Sequence, residues 1–150
     1  MAWRAGGSSG VFDAALIDFQ WSGWGLGATD LAYLIASSTE PGLLSFDGRG
    51  EARLLDYYHA QLSDAARSYG LPEESVVPRA ALQEQYETAL LDLARLVVAY
   101  AWPRLKITPE LLRQNQNVLS RCAYNKSEFV ALWLVVRCEA ILSQRAAGKA

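Results

Sequence analysis

Histidine and cysteine are scarce in this sequence. It offers one histidine, His59, and two cysteines, Cys122 and Cys138. A structural zinc site draws about four Cys, His or carboxylate ligands from close spacings. No C-x-x-C pair is present, so the zinc-ribbon and finger classes are excluded. Two isolated thiols also make no disulfide framework of the kind that staples small secreted domains. They are expected to be reduced, as in a cytoplasmic protein.

Excess charge of one sign is missing too. The formal net charge is -2, and the 14 lysines and arginines form no run. A nucleic-acid binder neutralises phosphates with a clear basic face, so no nucleic-acid partner is expected. Long apolar runs are also absent: the longest, Phe129 to Val136, is stopped by Arg137 and Glu139. A membrane span takes about 20 apolar residues, so this run reads as the buried face of a helix and no membrane partner is expected. No basic start followed by an apolar core marks a secretory leader.

What is present is ordinary globular material, 51% hydrophobic and 20% charged over 150 residues, enough for one compact domain. Residues 1–20 differ from the rest. Gly6-Gly7-Ser8-Ser9-Gly10 reads as a loop between the short apolar piece Met1–Arg4 and a strand candidate, Val11–Phe19. Together they predict a small N-terminal β-hairpin. Helical spacing then takes over. The first helix is expected from Thr29-Asp30, with Thr29 as N-cap and Asp30 suiting the positive helix end. It carries Leu31, Leu34 and Ile35. After a loop at 41–50, a second helix runs over 51–69 with Leu54, Leu55, Tyr58, Leu62, Ala65, Ala66 and Tyr69 in register, and Gly70 stops it. A third spans 78–100 with Leu82, Tyr86, Leu90, Leu93, Val97 and Tyr100 on one side. A fourth opens at Thr108-Pro109, and a fifth covers 127–145. The expected fold is mainly α: residues 1–28 as hairpin and loop, and 29–150 as a helical subdomain of about five helices.

One constellation carries chemistry. The apolar stretch Ala15-Leu16-Ile17 ends in Asp18-Phe19-Gln20. Gly23, Gly25 and Gly27 follow, and Asp30 opens a helix. Magnesium is held by one or two carboxylates plus substrate phosphates, and a carboxylate at a strand end beside a glycine-rich loop can reach such an ion. On spacing alone, Asp18 as a strand end and Asp30 as a helix-start charge is the simpler reading. The glycines do not make a dinucleotide fingerprint. That motif needs G-x-G-x-x-G directly after the strand and an acidic-ended second strand about 20 residues on. Here a loop around Phe46 and Asp47 occupies that place. His59 and Asp56 stand three apart, but no Ser or Cys nucleophile is arranged with them. Trp102, Trp133, Tyr86 and Tyr100 could line a pocket, although such aromatics usually form core.

The segment Leu16-Ile17-Asp18-Phe19-Gln20 through Gly25, Gly27 and Asp30-Leu31-Ala32-Tyr33 resembles the second half of the aminoglycoside phosphotransferase and choline kinase-like superfamily, closest to its ecdysteroid-kinase-like group. Leu55-Asp56-Tyr57-Tyr58-His59-Ala60-Gln61-Leu62 is similar to that group's next helix. The likeness extends over residues 1 to about 100 and is most specific over 14–35. It implies the C-terminal part of a protein-kinase-like fold, in which Asp18 matches the aspartate holding Mg²⁺ on the nucleotide phosphates. Asp30 matches a helix-start aspartate that braces the catalytic loop.

The family's His-Gly-Asp-x-x-x-x-Asn catalytic loop lies just before the hairpin, and no such motif occurs in these 150 residues. The nucleotide-binding lobe is absent from them too. Phosphoryl transfer depends on positioning and electrostatics supplied by several groups together. The resemblance therefore implies a fragment of an ATP- and Mg²⁺-dependent kinase for a small-molecule alcohol. Such a chain would be inactive alone, with no residue of its own in a catalytic or cofactor-binding role, no tight binding of ATP or Mg²⁺, and a missing N-terminal lobe as its natural partner. The alternative is a non-catalytic helical binding module derived from such a kinase.

Overall fold

Leu82, Tyr86, Leu90 and Leu93 recur at helical spacing, and the helix they build, α3 (Arg79–Leu96), is the hub of the molecule. In the computed structural model, which describes residues 23–114 and 122–148, α3 packs against three others: α1 (Gly27–Ser38), α2 (Arg49–Ser68) and α6 (Glu128–Ala147). Two short segments, α4 (Trp102–Leu105) and α5 (Pro109–Gln114), lead from α3 toward α6. The described residues are thus mainly helical and hold no strand. The expected hairpin of residues 1–20 lies outside them.

The most extensive contact is between α1 and α3. On α1, Ala28, Ala32 and Ala36 fall four residues apart and are buried with Leu31 and Ile35. Small side chains in one row let the two helices approach closely. From α6 the core receives Val130, Trp133, Leu134, Cys138 and Ile141, and from α2 it receives Leu55. The loop before α6 closes this layer, where the Tyr124 backbone N–H donates to the Ala36 carbonyl, 3.1 Å away, at the end of α1.

Helix ends follow local chemistry where the sequence marked them. Thr108 Oγ1 accepts from Leu111 N at 3.2 Å as the expected N-cap, and the structure adds a cap that the sequence reading did not name, Ser127 Oγ accepting from Val130 N at 3.3 Å. After α2, Gly70 adopts φ 69°. Gly70 N donates to Arg67 O and Leu71 N to Ala66 O, at 3.0 and 2.9 Å, the paired bonds of a Schellman stop. The same pair recurs after α4, where Lys106 N reaches Pro103 O and Ile107 N reaches Trp102 O. There a lysine takes the left-handed position, at φ 52°.

Four expectations are corrected, the last of them at Tyr69 in α2. Helix α1 begins at Gly27, and its N-cap is Leu26, not Thr29, with no side-chain cap bond. Helix α2 begins at Arg49, before the expected Glu51, because a polar corner supports its first turn. Ser45 Oγ accepts from Gly50 N at 2.8 Å and donates to Asp47 Oδ1 at 2.7 Å. Arg49 N donates to the same oxygen at 3.0 Å. The Ser45 hydroxyl, then the Arg49 backbone and guanidinium, hold the Asp47 carboxyl at about 2.

The third correction is Tyr100, which is 55% exposed rather than in the apolar stripe. Residues Val97–Ala101 form a π turn in which Trp102 N–H bonds back to Val97 O. Pro103 has no N–H, and its ring would press on the carbonyl four residues earlier. A wider turn just before it relieves that crowding and advances the helical phase by a residue. Tyr100 therefore rotates outward, where its hydroxyl accepts from Arg104 Nη1 at 2.8 Å and its ring lies 5.6 Å under the guanidinium.

Helix α2 is buried only near its start, through Gly50, Glu51 and Leu55. Tyr69, counted on the apolar face from spacing, is 84% exposed. Polar contacts along its length tie α2 back instead. His59 Nε2 lies 2.9 Å from the Val77 carbonyl and donates to it. Arg79 Nε donates to Asp56 Oδ1 at 2.6 Å while its Nη2 reaches Ala52 O at 3.2 Å.

Candidate functional site

The two carboxylates singled out from the sequence fare differently. Asp18 lies outside the described residues. Asp30 stands in the first turn of α1, where the positive end of the helix favours a negative charge. It is exposed, and no side-chain hydrogen bond or ion pair joins it to another described residue. Its neighbours Leu26, Tyr33 and Leu34 are exposed as well, at 58%, 43% and 57%. Helix α1 is therefore apolar on its outer face as well as on the face it buries against α3. Such a helix is typical of elements covered on more than one side.

Gly27, the last glycine of the run after Asp18, is fixed by a neighbour. A Cβ placed on it would stand 2.9 Å from the Tyr58 hydroxyl of α2, so the start of α1 is set against α2 by the lack of a side chain. This predicts a coupled pair. Gly27→Ala in the native background is expected to lose the gain of up to about 1 kcal/mol that alanine usually brings to a helix, because the tyrosine must move. In a Tyr58→Phe background the same change is expected to stabilise. A double-mutant cycle by urea unfolding should give a coupling of about 1 kcal/mol, and simple additivity would show that Tyr58 does not set this contact.

His59 and Asp56, neighbours by spacing, form no dyad: each is engaged elsewhere, with Val77 O and Arg79 respectively. Among the described residues no group of three His, Cys, Asp or Glu side chains is placed to hold a metal ion. No helix among them is long and apolar enough to cross a membrane. Of the four aromatics weighed as pocket or core, Trp133 and Tyr86 are core and Tyr100 is exposed. Trp102 lines an apolar groove with Ile107, Leu112, Leu132 and Val135, rimmed by Arg113 and Glu128, whose Nε and Oε1 pair at 2.6 Å. A second open groove, between α1 and α3, is floored by Leu26, Tyr33 and Ala89, with Glu84 and Asp92 at its edge.

A buried ion pair escaped sequence reasoning. Glu51, 1% exposed, accepts from Arg137 Nε at 2.5 Å, joining the first turn of α2 to the middle of α6. The Arg137 guanidinium lies over Gly48, where a Cβ would sit 2.5 Å from Nη2 and 2.7 Å from Cζ. Gly48 is at φ 82°, a conformation that glycine adopts freely. Among the described residues, Glu51 Oε2, the Tyr86 hydroxyl and the Trp133 indole N–H have no partner. Burial, then the nearby Glu51 carboxylate, pushes the Tyr86 hydroxyl far above its ordinary range. Burial likewise raises the Cys138 thiol to about 11, so this thiol stays protonated and unreactive at neutral pH. The cluster has the character of a polar tie within the core.

Compared with known proteins, residues 1–71 match the ecdysteroid kinase-like family. No curated protein and no solved structure matches the chain. The match runs through α1 and α2 to Leu71, just past the Gly70 stop, and is shorter than the span to about residue 100 read from the sequence. It contains Asp18, the glycines, Asp30 and the Leu55–Leu62 segment, so the resemblance carried by those residues is to the ecdysteroid kinase-like family.

Proposed function

We propose that the chain is the metal-bearing, helical portion of an ATP-dependent phosphotransferase acting on a small-molecule alcohol, and that residues 1–150 do not catalyse by themselves. The observation that carries this reading is the Asp18-Phe19-Gln20 to Asp30 constellation inside the family match over 1–71. The outer face of α1 supports it. An exposed Asp30 flanked by exposed Leu26, Tyr33 and Leu34 suits a helix start that braces a loop from outside the described residues.

The donor chemistry fits Mg²⁺ only in part. This ion takes one or two carboxylates and fills its remaining positions with substrate phosphates and water. Asp18 supplies one carboxylate, and the described residues add no further cluster. When bound, Mg²⁺ would neutralise charge on the transferring phosphates. Asp18 would hold it, and Asp30 would position the catalytic loop through its backbone N–H groups.

A second reading has one observation in its favour. Helices α1, α2, α3 and α6 share a single buried cluster centred on Trp133, Tyr86, Leu90 and Leu134, which is what a free-standing, non-catalytic binding module requires. The two readings part on partners: a kinase portion pairs with a lobe carrying the catalytic loop and works in the cytoplasm on its alcohol, whereas a module does neither. Purified 1–150 incubated with Mg²⁺, labelled ATP and a panel of small alcohols is expected to yield no phosphorylated product. Product formation that Asp18→Asn abolishes would overturn the statement that the chain is inactive alone.

A further inference from the structure

We draw no further inference here: the strongest candidate, the apolar groove between α5 and α6 lined by Trp102, Ile107, Leu112, Leu132 and Val135, carries nothing because nothing in the structure shows what covers it, and the one unpartnered polar atom beside it, the Trp102 indole nitrogen, is buried out of a ligand's reach.

Discussion

Arg137→Met is expected to destabilise the protein by about 3–5 kcal/mol, the cost of leaving one buried charge without its partner. Glu51 is 1% exposed, and the only hydrogen bond its carboxylate accepts in the described structure comes from Arg137 Nε. With the arginine gone, the carboxylate would remain buried with both oxygens unsatisfied. Glu51→Gln should cost less. Arg137 retains 8% exposure, so its charge can turn partly toward water, and an amide oxygen can still accept from Nε. Replacing both, as Glu51→Leu with Arg137→Met, should cost less than Arg137→Met alone, because no isolated charge is left behind. Urea unfolding reads all three. With a slope of about 1–3 kcal/mol per molar, Arg137→Met should lower the midpoint by about 2 M. A midpoint unchanged in Arg137→Met, or a double variant weaker than both single ones, would show that the pair does not tie α2 to α6.

Gly50→Ala is expected to destabilise by about 3 kcal/mol, against the trend for helices. Alanine in a helix normally gains about 1 kcal/mol over glycine, and Gly50 sits in the first turn of α2. Its α-carbon, however, faces the chain at 43–45. An added Cβ would collide with the Leu43 carbonyl oxygen and stand 2.8 Å from both Leu44 Cα and Ser45 N. These are backbone atoms, so no side-chain rotation relieves the contact, and overpacking of this kind costs about 1–3 kcal/mol or more. The same movement would break the 2.8 Å bond from Gly50 N to Ser45 Oγ. Thermal and urea unfolding of Gly50→Ala beside Gly42→Ala, where a Cβ meets nothing within 4 Å, separates the clash from the propensity. Equal behaviour of the two variants would mean that the corner is not closed as described.

These two positions also mark where sequence reasoning stops. Features set by neighbours in the chain were legible: the Thr108 cap, the span of the last helix, the Gly70 stop, and the α3 stripe from Leu82 to Val97. Each depends on bonds or spacings within a turn or two. Glu51 and Arg137 are 86 residues apart, and nothing local to either names the other. The available hint was a charge ending the apolar run of Phe129 to Val136, which puts Arg137 on a helix whose face is buried. The Gly48–Gly50 corner looked like an ordinary loop because its demand comes from Arg137 and from the backbone at 43–45. Tyr100 was misplaced because the 3.6-residue period assumes an unbroken helix, and Pro103 forces the π turn that shifts it. The N-cap of α1 was expected at Thr29 rather than Leu26 because a good capping residue masked a helix that begins without a side-chain cap.

For the candidate site, the sequence carried more than the described structure could add. Asp18 and the glycine run drew attention through residue types in a particular order, and the family match covers that same stretch. Geometry adds the outward apolar face of α1 around Asp30 and the contact that Gly27 makes with Tyr58.

The central claim is that Asp18 is the metal carboxylate of a phosphotransferase. Its most direct test is a chimera in which residues 1–150 follow the nucleotide-binding lobe and catalytic loop of an active ecdysteroid kinase-like enzyme. With Mg²⁺ and ATP, the chimera is predicted to phosphorylate that enzyme's alcohol substrate. Asp18→Asn in the chimera is predicted to lower the rate by on the order of 100-fold or more, the usual cost of removing one preorganised electrostatic group. A folded chimera that transfers phosphate equally well with asparagine at position 18, or that transfers none with aspartate there, would contradict the account.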